Sequence, residues 1–143
     1  MDRKGSAIWE GGLKNGKGTV STESTVLNKT PYSFHSRLEE GKDTNPEELI
    51  AAAHAGCFSM ALSGQLENLG VQAKEIKTTA TVTLQKDEKG FSIPRIHLHV
   101  KATIPNSNQE TFEKAAKNAK EGCPVSKLMR AEITMDTEFV VIK

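Results

Sequence analysis

The chain contains two cysteines, and their surroundings differ in a way that bears on thiol chemistry. Cys57 lies among small and apolar residues, where burial raises a thiol pKa and a cysteine is ordinarily an inert core residue. Cys123 comes directly before Pro124 at the predicted start of a short helix, where backbone N–H groups stabilise a thiolate. The pair is either a core residue and a helix cap, or a redox pair whose Cα atoms lie within about 7 Å.

Two charged residues upstream of Cys57 are candidates for assisting it. Arg37 lies near the end of a predicted strand, and Glu47 falls in the first turn of a predicted helix. The ordinary role of Arg37 is a solvated charge at a sheet edge, and that of Glu47 is a carboxylate that complements the helix dipole. A reactive Cys57, however, requires a cation beside its buried thiol. The residues alone leave open whether Arg37 supplies that cation.

Metal chemistry is a weaker interpretation of the same residues. His54 and Cys57 are spaced i, i+3 and therefore share a helix face, and Cys123 would be a third ligand. Three ligands without a fourth match no common structural zinc pattern. His97 and His99 lie on one face of a predicted strand, and we expect that face to be solvated.

The N-terminal third is predicted to be a β meander. Ala7–Glu10 and Thr19–Val26 are rich in β-branched residues and flank a glycine-rich segment, which predicts a hairpin. Tyr32–Leu38 alternates apolar and polar residues up to Ser36, which predicts a third strand. The glycine-rich segment lacks the Lys-Ser/Thr ending of a phosphate-binding loop, so we expect no nucleotide site.

A long helix is predicted to follow the meander. Thr44 or Asn45 provides a cap, and the helix runs to about Asn68 or Leu69, where Gly70 supplies the C-terminal stop. The stretch Leu49–Leu62 is apolar or small nearly all the way round. We therefore expect protein to cover both sides of this central helix.

The remaining elements complete an α+β pattern. Runs of strands and helices without βαβ alternation are typical of that class. A chain of 143 residues fits one domain, so we expect a single domain over 1–143. The predicted elements are strands Ala73–Gln85 and Phe91–Ile104, a helix from Asn108 to Lys120, a short helix from Cys123 to about Met129, and a strand Ile133–Ile142.

Composition narrows the classes of partner. The chain has 19 Lys and Arg and 18 Asp and Glu residues, a net charge of +1, which favours neither nucleic acid nor a membrane surface as partner. Its longest apolar stretch is shorter than the roughly 20 residues that span a bilayer, and the N-terminus lacks a signal-peptide pattern. Two cysteines are too few for a secreted disulfide framework. We expect a soluble cytoplasmic protein.

The sequence resembles the osmotically inducible protein C (OsmC) family. The segments Thr44–Leu62 and Gly122–Ser126 carry the resemblance most strongly, and it extends from Gly5 to Asp136, essentially the whole chain. It implies an OsmC-like fold with antiparallel sheets around a buried central helix, in an intertwined homodimer. It also implies a thiol peroxidase that reduces organic hydroperoxides, and hydrogen peroxide less efficiently, in oxidative or osmotic stress defence.

The resemblance also implies roles for four residues. Cys57 corresponds to the peroxidatic cysteine, Cys123 to the resolving cysteine, Arg37 to the activating arginine and Glu47 to its partner carboxylate. The implied cycle passes through a Cys57 sulfenic acid and a Cys57–Cys123 disulfide that an external dithiol reduces, with no metal or organic cofactor. In the related organic hydroperoxide resistance branch the activating arginine comes earlier, near the first glycine-rich turn. This chain has only Gly16-Lys17-Gly18 there, so the resemblance is to the OsmC branch proper.

The positions of Glu47 and Cys57 carry a geometric consequence. If both lie on one continuous helix, they are separated by about 15 Å along its axis and cannot meet within one chain. Either the helix begins after Glu47, or a second subunit supplies the carboxylate beside Cys57. We favour the second alternative.

Two other classes of function remain open. The first alternative is a non-catalytic dimer that binds a small hydrophobic ligand. The second is a redox sensor that forms the same disulfide and passes it to a partner protein. Cysteine reactivity distinguishes the ligand-binding dimer from a peroxidase, because that dimer would keep its function in a Cys57→Ser variant. A redox sensor differs from a peroxidase in that it needs only stoichiometric oxidation and not sustained turnover. For a peroxidase, the apolar residues around Cys57 favour organic hydroperoxides over hydrogen peroxide.

Overall fold

The computed structural model describes residues 1–142, and the chain divides into two compact units, Met1–Leu49 and a second that begins at Ile50. Each unit contains one three-stranded sheet. Helices accompany both sheets without regular βαβ alternation, so the predicted α+β class is confirmed.

The first unit contains an antiparallel sheet of three strands, as the meander pattern predicted. In sheet order the strands are β1 (Gly5–Glu10), β2 (Lys17–Thr22) and β3 (Thr30–Tyr32). Gly18 of β2 has no room for a side chain, because a Cβ would lie 2.6 Å from the Trp9 ring. The rings of Trp9 and Tyr32 lie 5.4 Å apart at this point.

The predicted third strand over Tyr32–Leu38 is wrong beyond Tyr32. The chain instead forms a short helix, α1 (Phe34–Leu38), which Ser33 caps. The Ser33 hydroxyl accepts the Ser36 N–H at 3.1 Å, and the Ser36 hydroxyl accepts the Ser33 N–H at 3.3 Å. These reciprocal capping bonds satisfy backbone N–H groups at the helix start that would otherwise lack a partner. Their stabilisation of the helix outweighs the preference of the alternating apolar residues for a strand.

The long helix α2 (Pro46–Asn68) begins and ends where its caps predicted. The Asn45 side chain accepts the Glu48 N–H at 2.8 Å at its start, and Gly70 adopts φ +76° just past its end. By length and composition α2 could also span a membrane, a test that the core helix of a soluble protein passes too.

The second unit is built on a sheet in the order β4-β5-β6. β4 (Glu75–Asp87) and β5 (Gly90–Pro105) are antiparallel, as predicted, but β6 (Glu132–Ile142) pairs with β5 in parallel. The sheet is therefore mixed, whereas the family resemblance implied antiparallel sheets. A parallel pair needs a crossover connection, and helices α3 (Gln109–Gly122) and α4 (Pro124–Leu128) provide it.

The core of the second unit lies between β5, α2 and α3. The Phe112 ring of α3 stacks on Phe139 of β6 at 5.2 Å. Fully buried side chains line this core, among them Phe58, Leu62, Leu66, Leu98, Val100, Ile104 and Phe112.

Residues 1–142 cover only one face of α2. On the opposite face Met60 is 77% exposed, and Gly56 and Gly64 are exposed beside it. Protein was expected on both sides of this helix, and the single chain provides it on one.

Candidate active site

The structure brings the two cysteines into contact. The Sγ atoms of Cys57 and Cys123 lie 2.8 Å apart, and both are free thiols. Cys123 is fully buried and Cys57 is half-buried. The redox interpretation requires the two cysteines to be neighbours, and their sulfur atoms are in contact.

A break between two helices positions Cys123. Its N–H donates to the Ala119 carbonyl at 2.9 Å and so ends α3, and its backbone then turns out of the helical region. Pro124 lacks an N–H and has a φ already suited to a helix start, so it begins α4. Cys57 approaches from α2, where its neighbour Phe58 is fixed in the core.

The two thiols ionise unequally. Burial raises the pKa of Cys57, and its hydrogen bond with Cys123 raises it further. Burial also disfavours the Cys123 thiolate, but hydrogen bonds from Cys57, from the backbone and side chain of Ser126 and from the backbone of Val125 lower its pKa overall. In the neutral pair Cys123 donates to Cys57, and the opposite directions of the two pKa shifts favour the thiolate at Cys123 over the thiolate at Cys57.

A buried histidine lies behind the thiol pair. His54 is fully buried, and its Nε2 lies 2.8 Å from Ser126 Oγ. Burial lowers the pKa of His54, so the ring is neutral near pH 7. His54 was considered above as a metal ligand, and the structure gives it a hydroxyl partner instead. Within residues 1–142, no group of three His, Cys, Asp or Glu side chains is arranged to hold a metal ion.

Sequence reasoning missed Ser126 as part of this site. It is the third residue of α4, counted from the Cys123 N-cap, and a side chain at that position turns back towards the cap residue. The signal was therefore present in the spacing of Cys123 and Ser126, but nothing in the sequence indicated the long-range partner, His54.

Arg37 and Glu47 form a partly buried ion pair in the first unit. Arg37 Nε donates to Glu47 Oε1 at 2.8 Å, and the side chains are 32% and 10% exposed. α1 presents the guanidinium and the first turn of α2 presents the carboxylate. Such a charge-assisted bond fixes the plane of the guanidinium. Glu47 Oε2 is buried without a hydrogen-bond partner among residues 1–142.

An open pocket lies beside Arg37 in the same unit. Its volume is about 220 Å³. Apolar and aromatic side chains form most of its wall and the guanidinium contributes a polar group, so the pocket suits an apolar molecule with a polar end. Its lining residues include Trp9, Leu13, Tyr32, Phe34, Arg37 and Pro46.

Comparisons with known proteins identify relatives over nearly the whole chain. The family model described as OsmC-like protein matches residues 39–138. Peroxiredoxin OsmC of Escherichia coli K12 is 54% identical over 139 residues, 97% of each chain. Organic hydroperoxide resistance protein-like 1 of Staphylococcus epidermidis is 33% identical over 89% of each chain. The crystal structure of an organic hydroperoxide resistance protein OsmC from Legionella pneumophila, 29% identical, matches with a TM-score of 0.68 over 96% of each chain.

Proposed function

The chain belongs to the OsmC family, and on that basis we propose that it is a cysteine-based peroxidase that reduces organic hydroperoxides to alcohols, and hydrogen peroxide less efficiently. The 2.8 Å contact between the free thiols of Cys57 and Cys123 carries this proposal. Relatives named as a peroxiredoxin and as organic hydroperoxide resistance proteins support it. A role in oxidative stress defence agrees with that activity, and the family resemblance adds osmotic stress.

The proposed cycle uses both cysteines. The Cys57 thiolate attacks the distal peroxide oxygen, the O–O bond breaks, and the departing alkoxide takes a proton to become the alcohol. Cys57 is left as a sulfenic acid. The Cys123 thiolate then attacks the Cys57 sulfur and displaces hydroxide, which is protonated to water. An external dithiol reduces the resulting disulfide by thiol exchange, so no metal or organic cofactor is needed.

Arg37 and Glu47 are proposed to activate Cys57. Burial raises the pKa of Cys57, so its reactive form needs a compensating positive charge. Arg37 provides that charge and can donate hydrogen bonds to the peroxide oxygens, while Glu47 holds the guanidinium in one orientation.

We propose that this ion pair serves Cys57 of a second subunit in a homodimer. Glu47 and Cys57 lie on one continuous helix, and their positions correspond to an axial separation of about 15 Å. The uncovered face of α2 around Met60 supplies apolar surface for a second copy.

Mixed dimers test the shared site. When Cys57→Ala and Glu47→Ala chains are dissociated and recombined, a shared site leaves one intact centre in each heterodimer, so about a quarter of wild-type activity returns in the statistical mixture. Peroxidase rates of the mixture and of each variant alone provide the measurement and its control. No recovery, once heterodimers are confirmed by native mass spectrometry, would place each site within one chain.

Substrate preference tests the role of the pocket. We expect kcat/KM for cumene hydroperoxide to exceed that for hydrogen peroxide, because burial of an aromatic tail lowers the free energy of the transition state. Phe34→Ala should lower kcat/KM for cumene hydroperoxide about ten-fold and leave hydrogen peroxide nearly unchanged. Phe91→Ala, which alters a phenylalanine outside the pocket, is the control. A higher kcat/KM for hydrogen peroxide in the wild type would contradict this preference.

The two other functions raised by the sequence are less well supported. A ligand-binding dimer gives no reason for two free thiols in contact, and a redox sensor does not account for relatives named for peroxide chemistry.

We also propose that residues 1–143 act as one OsmC-like domain in the cytoplasm, without nucleic-acid or membrane partners. The family match across residues 39–138 bridges both compact units and supports the single domain.

A further inference from the structure

A line of polar side chains runs through the second unit from the thiol pair to a buried histidine. Cys57 contacts Cys123, Ser126 follows the Cys123 N-cap as the third residue of α4 and lowers the pKa of the Cys123 thiol, and Ser126 Oγ contacts His54 Nε2 at 2.8 Å. The proposed cycle uses the two cysteines and leaves Ser126 and His54 without a role.

Ser126 and His54 are both buried, so few other hydrogen-bond partners are available to either side chain. Ser126 is 7% exposed and His54 is fully buried. Ser126 is the third residue after the Cys123 N-cap of α4, and its hydroxyl lies 2.8 Å from the His54 ring of α2. Burial of polar groups is costly unless they are paired, so this arrangement is fixed by the fold.

The direction of the hydrogen bonds follows from the proton count. A serine hydroxyl has one proton, and if Ser126 donates it to the Cys123 thiolate, Ser126 must accept from His54. His54 then carries its proton on Nε2 and leaves Nδ1 as a bare acceptor. Nδ1 is buried without a hydrogen-bond partner among residues 1–142. A buried acceptor without a partner is better tolerated than a buried N–H without one, which favours this tautomer.

We propose that His54 and Ser126 are positioning residues for disulfide closure: the His54 Nε2–H orients the Ser126 hydroxyl, which donates to Cys123 Sγ as this sulfur attacks the Cys57 sulfenic acid. The inference rests on the proposed peroxidase function. In this step the Cys123 thiolate forms the S–S bond and the S–O bond of Cys57 breaks. The displaced hydroxide takes up the proton that Cys123 released, so thiol and sulfenic acid become disulfide and water.

Few other ionisable groups surround the Cys123 sulfur. Within residues 1–142, the titratable side chains that hydrogen bonds join to it are Cys57, directly, and His54, through Ser126. The charged residues that flank it along the chain, Glu121 and Lys127, are exposed. Solvent screens such charges, so we expect the ionisation of Cys123 to respond mainly to Cys57 and then to Ser126.

A titration of Cys123 tests the proposal without any peroxide. In a Cys57→Ser background the ultraviolet absorbance of the thiolate reports Cys123 alone. Adding Ser126→Ala should raise its pKa by about one to two units, the value of a hydrogen bond to a charged group. Ser126→Thr, which keeps the hydroxyl, should restore the original titration. Ser59→Ala is the matched control, because Ser59 bonds to Thr78 and to neither cysteine.

Substitution of His54 separates positioning from packing. His54→Leu fills the space with an apolar side chain but removes the donor, and should raise the pKa of Cys123 in the same direction as Ser126→Ala. His54→Gln places an amide N–H near the position of Nε2 and should reverse most of that change. A change of equal size in Leu and Gln variants would indicate altered packing and overturn the positioning role.

Rapid-quench kinetics then link the titration to the reaction. With both cysteines present, Ser126→Ala should slow disulfide closure at pH 7 about three- to ten-fold, because the loss of thiolate exceeds the gain in its nucleophilicity. Formation of the Cys57 sulfenic acid should not slow, because a less acidic Cys123 draws less negative charge away from Cys57. An unchanged titration, or an unchanged closure rate, would overturn the inference. If Cys57 were oxidised by hydroperoxide neither in the wild type nor in the variants, the peroxidase function would be refuted instead. The titration of Cys123 would still decide the role of Ser126.

Discussion

Replacing Cys57 with serine is expected to lower kcat/KM for hydroperoxides by at least about a thousand-fold, because no other group in the proposed cycle can accept the peroxide oxygen. Cys123→Ser should also lose sustained turnover, yet it should still reduce one equivalent of hydroperoxide and accumulate a Cys57 sulfenic acid. Coupled turnover assays and dimedone labelling measure the two outcomes.

The ionisation of the pair makes this comparison decisive. In the single chain the pKa of Cys123 is lowered and that of Cys57 is raised, so thiol acidity alone would select Cys123 as the nucleophile. A sulfenic acid that forms at Cys123 in the Cys57→Ser variant, at the wild-type rate, would reverse the assigned roles. The proposed cycle therefore requires a cation beside Cys57 that makes its thiol the more acidic of the two when peroxide reacts.

Removing that cation gives the second large effect. Arg37→Gln is expected to lower kcat/KM at pH 7 about a hundred-fold, since an adjacent positive charge lowers a thiol pKa by about one to three units. The reactive species is the thiolate, so activity rises with pH through the pKa of Cys57. Without Arg37 this rise moves to higher pH, and the deficit relative to wild type shrinks as the pH increases. Stopped-flow rates across a pH series test the shift.

Two further variants define the role of the guanidinium. Arg37→Lys keeps the charge but loses the planar donor geometry, and should lie between wild type and Arg37→Gln. Arg95→Gln, an exposed arginine on β5, is the matched control for loss of one positive charge. An Arg37→Gln profile with the wild-type midpoint would show that another group ionises Cys57.

The elements that the sequence predicted well are those with local signals. Asn45 caps the start of α2, and Gly70 ends it because its backbone adopts the left-handed conformation. Pro124 starts α4, because its fixed φ suits the first position of a helix. The third strand failed because the alternation over Tyr32–Leu38 competed with a Ser33 capping box, and side chains that satisfy backbone N–H groups prevailed.

Long-range features of the site were beyond prediction from spacing. Cys57 and Cys123 are 66 residues apart in sequence, and their contact depends on where α3 ends against the core. The bond between His54 and Ser126 spans 72 residues and depends on the same packing. The parallel pairing of β6 likewise follows from the whole crossover and has no local signal. The ion pair of Arg37 and Glu47 was expected from the family resemblance, and the structure joins the two side chains.

If Cys57 and Cys123 form a peroxide-driven redox pair, one equivalent of hydroperoxide must change the number of free thiols in the protein. Reduced protein is treated with one equivalent of cumene hydroperoxide, and free thiols and intact mass are measured for wild type and Cys123→Ser. We expect wild type to lose both thiols and two hydrogen atoms, and Cys123→Ser to gain one oxygen atom at Cys57. Unchanged thiols and mass in wild type would contradict the account and favour a protein that binds a small hydrophobic ligand.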